Sequence, residues 1–248
     1  HEERSAAYHL LMLDRLVELG CVLQAQRGQR PLWLQEAIAA MVAWAEAVRL
    51  ADGRAPRFND SADDAAAPLD QVVAFAQAYL QNRALPAADL RGLLTRLAPA
   101  LATLSSPDPG TTPFPLFDLP ETGWTLLRPG GGWELAFKCG QPCPPHLPAH
   151  THSDQLSLDL FWQGEPVLAE AGTSVYGTGA DRAFERSGAA HNVLQLGLSH
   201  PQGKVAWIEP VEVWHGFRAG RKARPRQRDC GQLGPHRWFV AGSHDGFD

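Results

Sequence analysis

Two kinds of hydrophobic spacing divide the chain. From Ser5 to Leu104 apolar residues recur every three or four positions, the spacing of a helix with one buried face. Ser5 to Leu19 reads as a first helix stopped by Gly20. Leu32 to Leu50 reads as a second, with Leu34, Ile38, Met41, Val42, Ala45 and Val48 on its apolar face, ending at Asp52-Gly53. Asp70 to Leu80 and Ala87 to Leu104 complete a set of helical hairpins packed side by side. Ser105 to Pro113 is rich in Ser, Pro, Gly and Thr and marks a boundary. Beyond it the period changes to two. Short strands are predicted at Trp124–Leu127, Trp133–Phe137, Leu156–Trp162, Val167–Glu170, Val193–Leu196, Val205–Ile208, Val211–Trp214 and Trp238–Ala241. In Gln155–Trp162 the residues Leu156, Leu158, Leu160 and Trp162 share one face and Ser157 and Asp159 the other. The expected organisation is therefore helices over 1–104, a linker over 105–123, and an antiparallel β-sandwich over 124–248.

Composition narrows the function. With 44% hydrophobic and 20% charged residues and a net charge of −5, this is a folded protein with no general affinity for nucleic acid, whose binding rests on cationic surface. The basic run Arg218 to Arg228 reads as a solvated edge or as a dock for an anionic ligand, a polyanionic sugar as readily as a phosphate. No apolar run is long enough to span a bilayer. Four scattered cysteines, Cys21, Cys139, Cys143 and Cys230, do not make a disulfide framework, although Cys139 and Cys143 are close enough to pair or share a metal. The chain starts at His1-Glu2-Glu3-Arg4 without Met or a signal peptide, as a mature product or an excised fragment would.

The chemistry concentrates at His150-Thr-His152-Ser-Asp154. Two imidazoles one residue apart on extended chain lie on one side, ~6–7 Å apart along the backbone. His152, Glu170 and His191 are the residue types of a zinc shell, or alternatively hydrogen-bonded polar residues at a sheet edge. His150 suits proton transfer near neutrality. At the N-terminus Arg4 and Tyr8 are four apart and would share a helix face, the guanidinium favouring the phenolate. An amphipathic tyrosine on a surface helix is the plainer reading of the same spacing. A His-x-His-x-Asp run also occurs in zinc hydrolases of the metallo-β-lactamase kind, where a further His follows the Asp; here position 155 is Gln. Trp124, Trp133, Trp162 and Trp214 could stack on sugars or fill a core.

Set in order, these segments resemble the heparinase II/III-like polysaccharide lyases. Glu3-Arg4-Ser5-Ala-Ala-Tyr8-His9 is similar to their "ERSxxYH" helix and Asp52 to Asp60 to their "DGxxPxFND" loop. His150 to Leu160 is similar to "HxHxDxLSFxL", Glu170-Ala-Gly-Thr173 with Tyr176-Gly177 to the segment that follows, Arg186 to Asn192 to "RSTAAHNT", and His244 to Phe247 to "HDGY". The resemblance implies the end of an incomplete (α/α) toroid followed by a β-sandwich, truncated at both ends. It implies cleavage of a uronic-acid-containing polysaccharide by β-elimination, in a periplasmic or secreted bacterial protein. By the same resemblance Tyr8 and His150 are catalytic, Arg4, His9 and Asn59 contact substrate, and His152, Glu170 and His191 hold a supporting zinc. The family carries Asp where this chain has Glu170 and Tyr where it has Phe247. Its carboxylate-neutralising residue is expected upstream of residue 1. Two other functions remain open: a zinc hydrolase built on His150, His152 and Asp154, and a non-catalytic glycan-binding relative.

Overall fold

The structure, a computed structural model, describes residues 4–82, 115–199, 201–214 and 217–248. These fall into two compact units. One is helical, Ala6–Ala55 with 63–82. The other is the β unit, formed by 115–248 together with Arg4, Ser5 and the loop Pro56–Ala62.

The helical unit contains α1 (Ala6–Arg27), α2 (Leu32–Val48) and α3 (Leu69–Leu80), each packed on the other two. Leu34, Ile38, Val42, Ala45 and Val48 of α2 are buried, as the spacing predicts, with Met41 at the edge. Leu34, Ile38, Val42 and Ala45 meet Leu13 and Val17 of α1 and Val72, Phe75 and Tyr79 of α3. Gly20 does not stop α1, because a glycine here serves close approach: a Cβ would come within 2.5 Å of the Tyr79 ring. The stop is Gly28, at φ +62, after which the Gln29 N–H returns to Leu23 O. The helix also begins later than expected. Arg4 has φ +54 and lies outside α1, so Arg4 and Tyr8 are not helical neighbours. The helix expected over Ala87–Leu104 lies outside the described residues.

The β unit is built on a five-stranded antiparallel meander: β1 (Leu116–Leu119), β2 (Trp124–Gly130), β3 (Trp133–Lys138), β4 (Leu158–Trp162) and β5 (Glu165–Leu168). β1 falls inside the stretch read as linker. Three hairpins follow: β6 (Leu196–Ser199) with β7 (Val205–Ile208), β8 (Val211–Trp214) with β9 (Arg218–Lys222), and β10 (Pro225–Gly234) with β11 (Arg237–His244). A short helix, α4 (Ala180–Glu185), and a 3-10 turn (Gly188–Ala190) lie before β6. The basic run is thus strand except at Ala223 and Arg224, with Arg228 on Asp118 and Arg226 on Asp248.

Along β4 the more apolar face is the less buried one. In the meander Trp124, Leu126, Ala136, Lys138, Asp159 and Phe161 are buried on one face, and Thr125, Leu127 and Phe137 on the other. Leu158 and Leu160, which share a face with Trp162, are only half-buried, and Trp162 is exposed beside Trp133. Polar residues can take the inside because each has partners. Asp159 Oδ1 accepts the Glu170 N–H (2.6 Å) and Oδ2 the Arg57 N–H (3.4 Å), so burial leaves few orphaned groups there.

A buried polar centre as candidate functional site

The loop Pro56–Ala62 and the chain around His150 meet in a dense polar cluster. Asn59 adopts φ +56, a left-handed conformation that asparagine tolerates better than most residues. Its N–H donates to Asp154 Oδ2 (3.0 Å), its Nδ2 donates to Arg4 O, and its Oδ1 accepts from Lys138 Nζ (2.7 Å). Asn59 is fully buried, so it braces the site instead of facing a ligand. Lys138 also donates to Asp154 Oδ1 (2.5 Å), both side chains being inaccessible to solvent. Burial opposes ionisation of Asp154, but the Lys138 ammonium holds its carboxyl below the usual range. With both oxygens engaged, Asp154 is a structural carboxylate.

Next to it stands Asp60, the residue on which the cluster converges. Its carboxylate accepts from His150 Nδ1 (2.8 Å), His152 Nε2 (2.6 Å), Thr173 Oγ1 (2.9 Å) and both terminal nitrogens of Arg182 (2.6 and 2.7 Å). Burial works against its charge, yet hydrogen bonds from the two histidines and Arg182 keep its carboxyl far below the ordinary value. An ionised Asp60 fixes the tautomers of its neighbours. His150 and His152 must each present an N–H to it, which leaves Nε2 as the basic nitrogen of His150 and Nδ1 as that of His152.

The chain continues through His191. His152 Nδ1 faces His191 Nε2 at 3.3 Å, and His191 Nδ1 lies 2.5 Å from Glu170 Oε2. Burial lowers the His152 pKa to about 4, so the ring is neutral and accepts from His191. Burial would lower that of His191 too, but the Glu170 carboxylate outweighs it and raises the value. Glu170 is held by the N–H groups of its own residue, on Asp159, and of Asn192, on Oε1 (2.8 Å). These residues sit in loops beyond strand ends. His191 follows the 3-10 turn, and the strand expected at Val193 starts only at Leu196.

Donor chemistry here suits zinc, and tetrahedral Zn–N bonds of about 2.0–2.1 Å would set two nitrogens roughly 3.3–3.4 Å apart, close to the His152–His191 spacing. The third donor does not fit. Glu170 is bonded to the far nitrogen of His191, and among the described residues no three His, Cys, Asp or Glu side chains form a common donor set. As arranged, the three make a hydrogen-bonded relay. All four cysteines are free thiols.

The remaining expected site residues are placed as follows. Tyr8 is half-buried on the first turn of α1. His9 is buried in the helical unit, with Nε2 3.0 Å from Met41 O and its ring on Trp44 at 4.1 Å, so it is not exposed to a substrate. Arg4 is half-buried and donates to Gln141 O (2.6 Å). Sequence reasoning does not find Asp60, Lys138 or Arg182 as members of the centre. Only Asp60 carries a signal, its place at the end of the Asp52–Asp60 motif.

Comparison with known proteins agrees with this architecture. No curated protein matches the chain. Among solved structures, one of heparinase III superposes with a TM-score of 0.59 at 14% identity over 93% of this chain and 34% of its own. Heparan sulfate lyase HepC from Pedobacter heparinus gives 0.55 at 17% identity, over 94% and 32%. The chain therefore spans about a third of the length of these structures, and the likeness shows the fold: helices of an (α/α) toroid followed by an antiparallel β-sandwich. The family described as heparinase II/III-like, C-terminal matches residues 111–248. By that match across more than half its length, the chain belongs to the heparinase II/III-like family.

Proposed function

We propose that the protein carrying this chain is a polysaccharide lyase that cleaves uronate-containing glycans by β-elimination, with His150 as the base. One observation carries the reading: Asp60, itself held ionised, accepts the Nδ1–H of His150 and so leaves Nε2 as the basic nitrogen of a half-buried ring. In the reaction Nε2 takes the proton from C5 of the uronate. The electron pair left behind forms the C4–C5 double bond, the C4–O4 bond breaks, and an acid protonates the departing oxygen. Motif resemblance assigns that acid role to Tyr8 and a substrate contact to Arg4.

Zinc binding by His152, Glu170 and His191 is a separate proposal, because it requires Glu170 to leave His191 Nδ1. Elemental analysis of the purified protein tests it: stoichiometric zinc that vanishes in His152→Ala supports it, and unchanged content in that variant sinks it. No step above passes through the metal.

The lyase reading is tested with heparan sulfate and other uronate polysaccharides, following the ultraviolet absorbance of the unsaturated product. His150→Ala should lower the rate by about 10²–10⁴-fold, the usual contribution of a general base, and Tyr8→Phe should lower it comparably. A product that is saturated, or a rate unchanged in His150→Ala, would overturn the assignment.

A further inference from the structure

Arg186, which caps the C-terminal end of α4, is almost wholly buried. Its guanidinium ends on three main-chain carbonyls: Nε donates to Thr151 O (2.9 Å), Nη1 to Trp214 O (3.2 Å) and Nη2 to Arg218 O (3.3 Å). Its own carbonyl accepts the Ser153 N–H (2.9 Å). One residue therefore grips the chain on both sides of His152 and directly after His150. Three acceptors in three directions match the rigid fork of a guanidinium and not the single nitrogen of an ammonium.

The other two carbonyls locate the anchor. Trp214 ends β8, Arg218 begins β9, and the two are paired across the hairpin. Ser153 is tied to the same strand, its Oγ accepting the Val211 N–H (3.3 Å). Thr151, His152 and Ser153 are fully buried, so their backbone groups depend on these partners. Burial, with Arg182 nearby, works against the charge of Arg186, which makes an arginine unfavourable here unless its fork is used. His150 is thus held at two ends. Asp60 accepts its ring Nδ1–H (2.8 Å), and Arg186 fixes the chain immediately after it. A shift of that backbone would carry the ring away from Asp60, however firmly Asp60 itself is held.

We propose that Arg186 is a positioning residue of the elimination: through the Thr151–Ser153 backbone it sets His150 against Asp60 and so aims Nε2. The inference rests on the lyase reading above and extends the support of the base from Asp60 to the β8–β9 hairpin.

The test compares Arg186→Lys and Arg186→Gln with the wild type, using the intact protein with nitrogen-15-labelled histidine. Lysine keeps the charge without the fork. Glutamine buries no unpaired charge and is the variant to use where the lysine variant does not fold. His9 ring resonances at their wild-type positions show that a variant is folded. In the wild type the His150 resonances should report a protonated Nδ1 and a bare Nε2, and in both variants they should move towards a mixture of tautomers. On heparan sulfate kcat should fall about 10–100-fold with KM changed less than about twofold, because the aim of the base matters in the transition state and little in substrate binding. Folded variants with His150 resonances and kcat unchanged, even with a lowered melting temperature, would make Arg186 a purely structural residue and overturn the proposal. A raised KM at unchanged kcat would overturn it too. Unsaturated product at the wild-type rate from both variants removes this inference alone. Shifted His150 resonances with no product even from the wild type support the positioning of His150 and remove the lyase chemistry.

Discussion

The helical unit and the β unit bury the same kinds of residue to opposite ends. In the helical unit a histidine, His9, is packed on Trp44 and bonded to a carbonyl, and it and Asp14 are buried polar groups set among leucines, valines and alanines. In the β unit four charged or imidazole side chains, Asp60, His152, Arg182 and Glu170, are buried together with Lys138 and Asp154, and each is defined by the others. The first unit is held by area removed from water, a term that is additive and forgiving. The second depends on complete satisfaction of donors and acceptors, so one deletion strands several partners at once.

The sharpest way to break this contrast is Asp60→Ala. It leaves Arg182, His150 and His152 without their acceptor, and stranding a buried charge costs about 3–5 kcal/mol. Urea denaturation should show a loss of that size; a loss below about 1 kcal/mol would mean that the cluster is not interdependent.

A second effect separates two titrating groups within the helical unit. Burial lowers the pKa of His9 to about 4, so its contribution to stability is lost as pH falls from 6.5 towards 4, where the unfolded chain takes up a proton that the folded one refuses. Burial, with Glu18, raises that of Asp14 to about 6, so Asp14 adds stability over nearly the same range, from 6 down to 3.8. At about 1.4 kcal/mol per unit each is worth roughly 3 kcal/mol, and they nearly cancel. His9→Phe should therefore make the unit more stable on acidification from pH 6 to 4, and Asp14→Asn should make it less stable, both read from the helical circular-dichroism signal. Parallel slopes in the two variants would refute the opposed titrations.

The smallest effect concerns packing. Gly20→Ala brings a Cβ against the Tyr79 ring. Overpacking of about 1–3 kcal/mol is offset by about 1 kcal/mol of helix propensity, for a net loss of roughly 1 kcal/mol in thermal unfolding. A gain would show that Tyr79 moves aside freely.

The same contrast explains how much of the molecule is legible in its sequence. α2 and α3 are legible to within two residues because a buried apolar stripe writes its period directly into the sequence. Gly20 misleads because a glycine that admits a neighbouring ring looks no different from one that ends a helix. The buried face of β4 is not legible because Asp159 goes inside for the sake of two N–H groups, those of Arg57 and Glu170, which no alternation rule can announce. His150, His152, Glu170 and His191 are legible as chemistry and do converge. Asp60 is not. An aspartate after an asparagine in a loop reads as a turn, and its partners lie 90, 92 and 122 residues away.

The loop Pro56–Ala62 has a consequence for how the molecule is made and how it can be recombined. It is encoded inside the helical half yet belongs structurally to the β unit. During synthesis Asp60 leaves the ribosome long before His150, His152 and Arg182 exist to meet it, so the centre of the β unit closes late and only with an early segment still available. The β unit is accordingly not a cassette. A polypeptide cut at the apparent boundary would carry every histidine of the cluster and lack the carboxylate that orients them. A chimera between relatives would function as a unit only if the whole of Pro56–Ala62, from the other half of the gene, travelled with it.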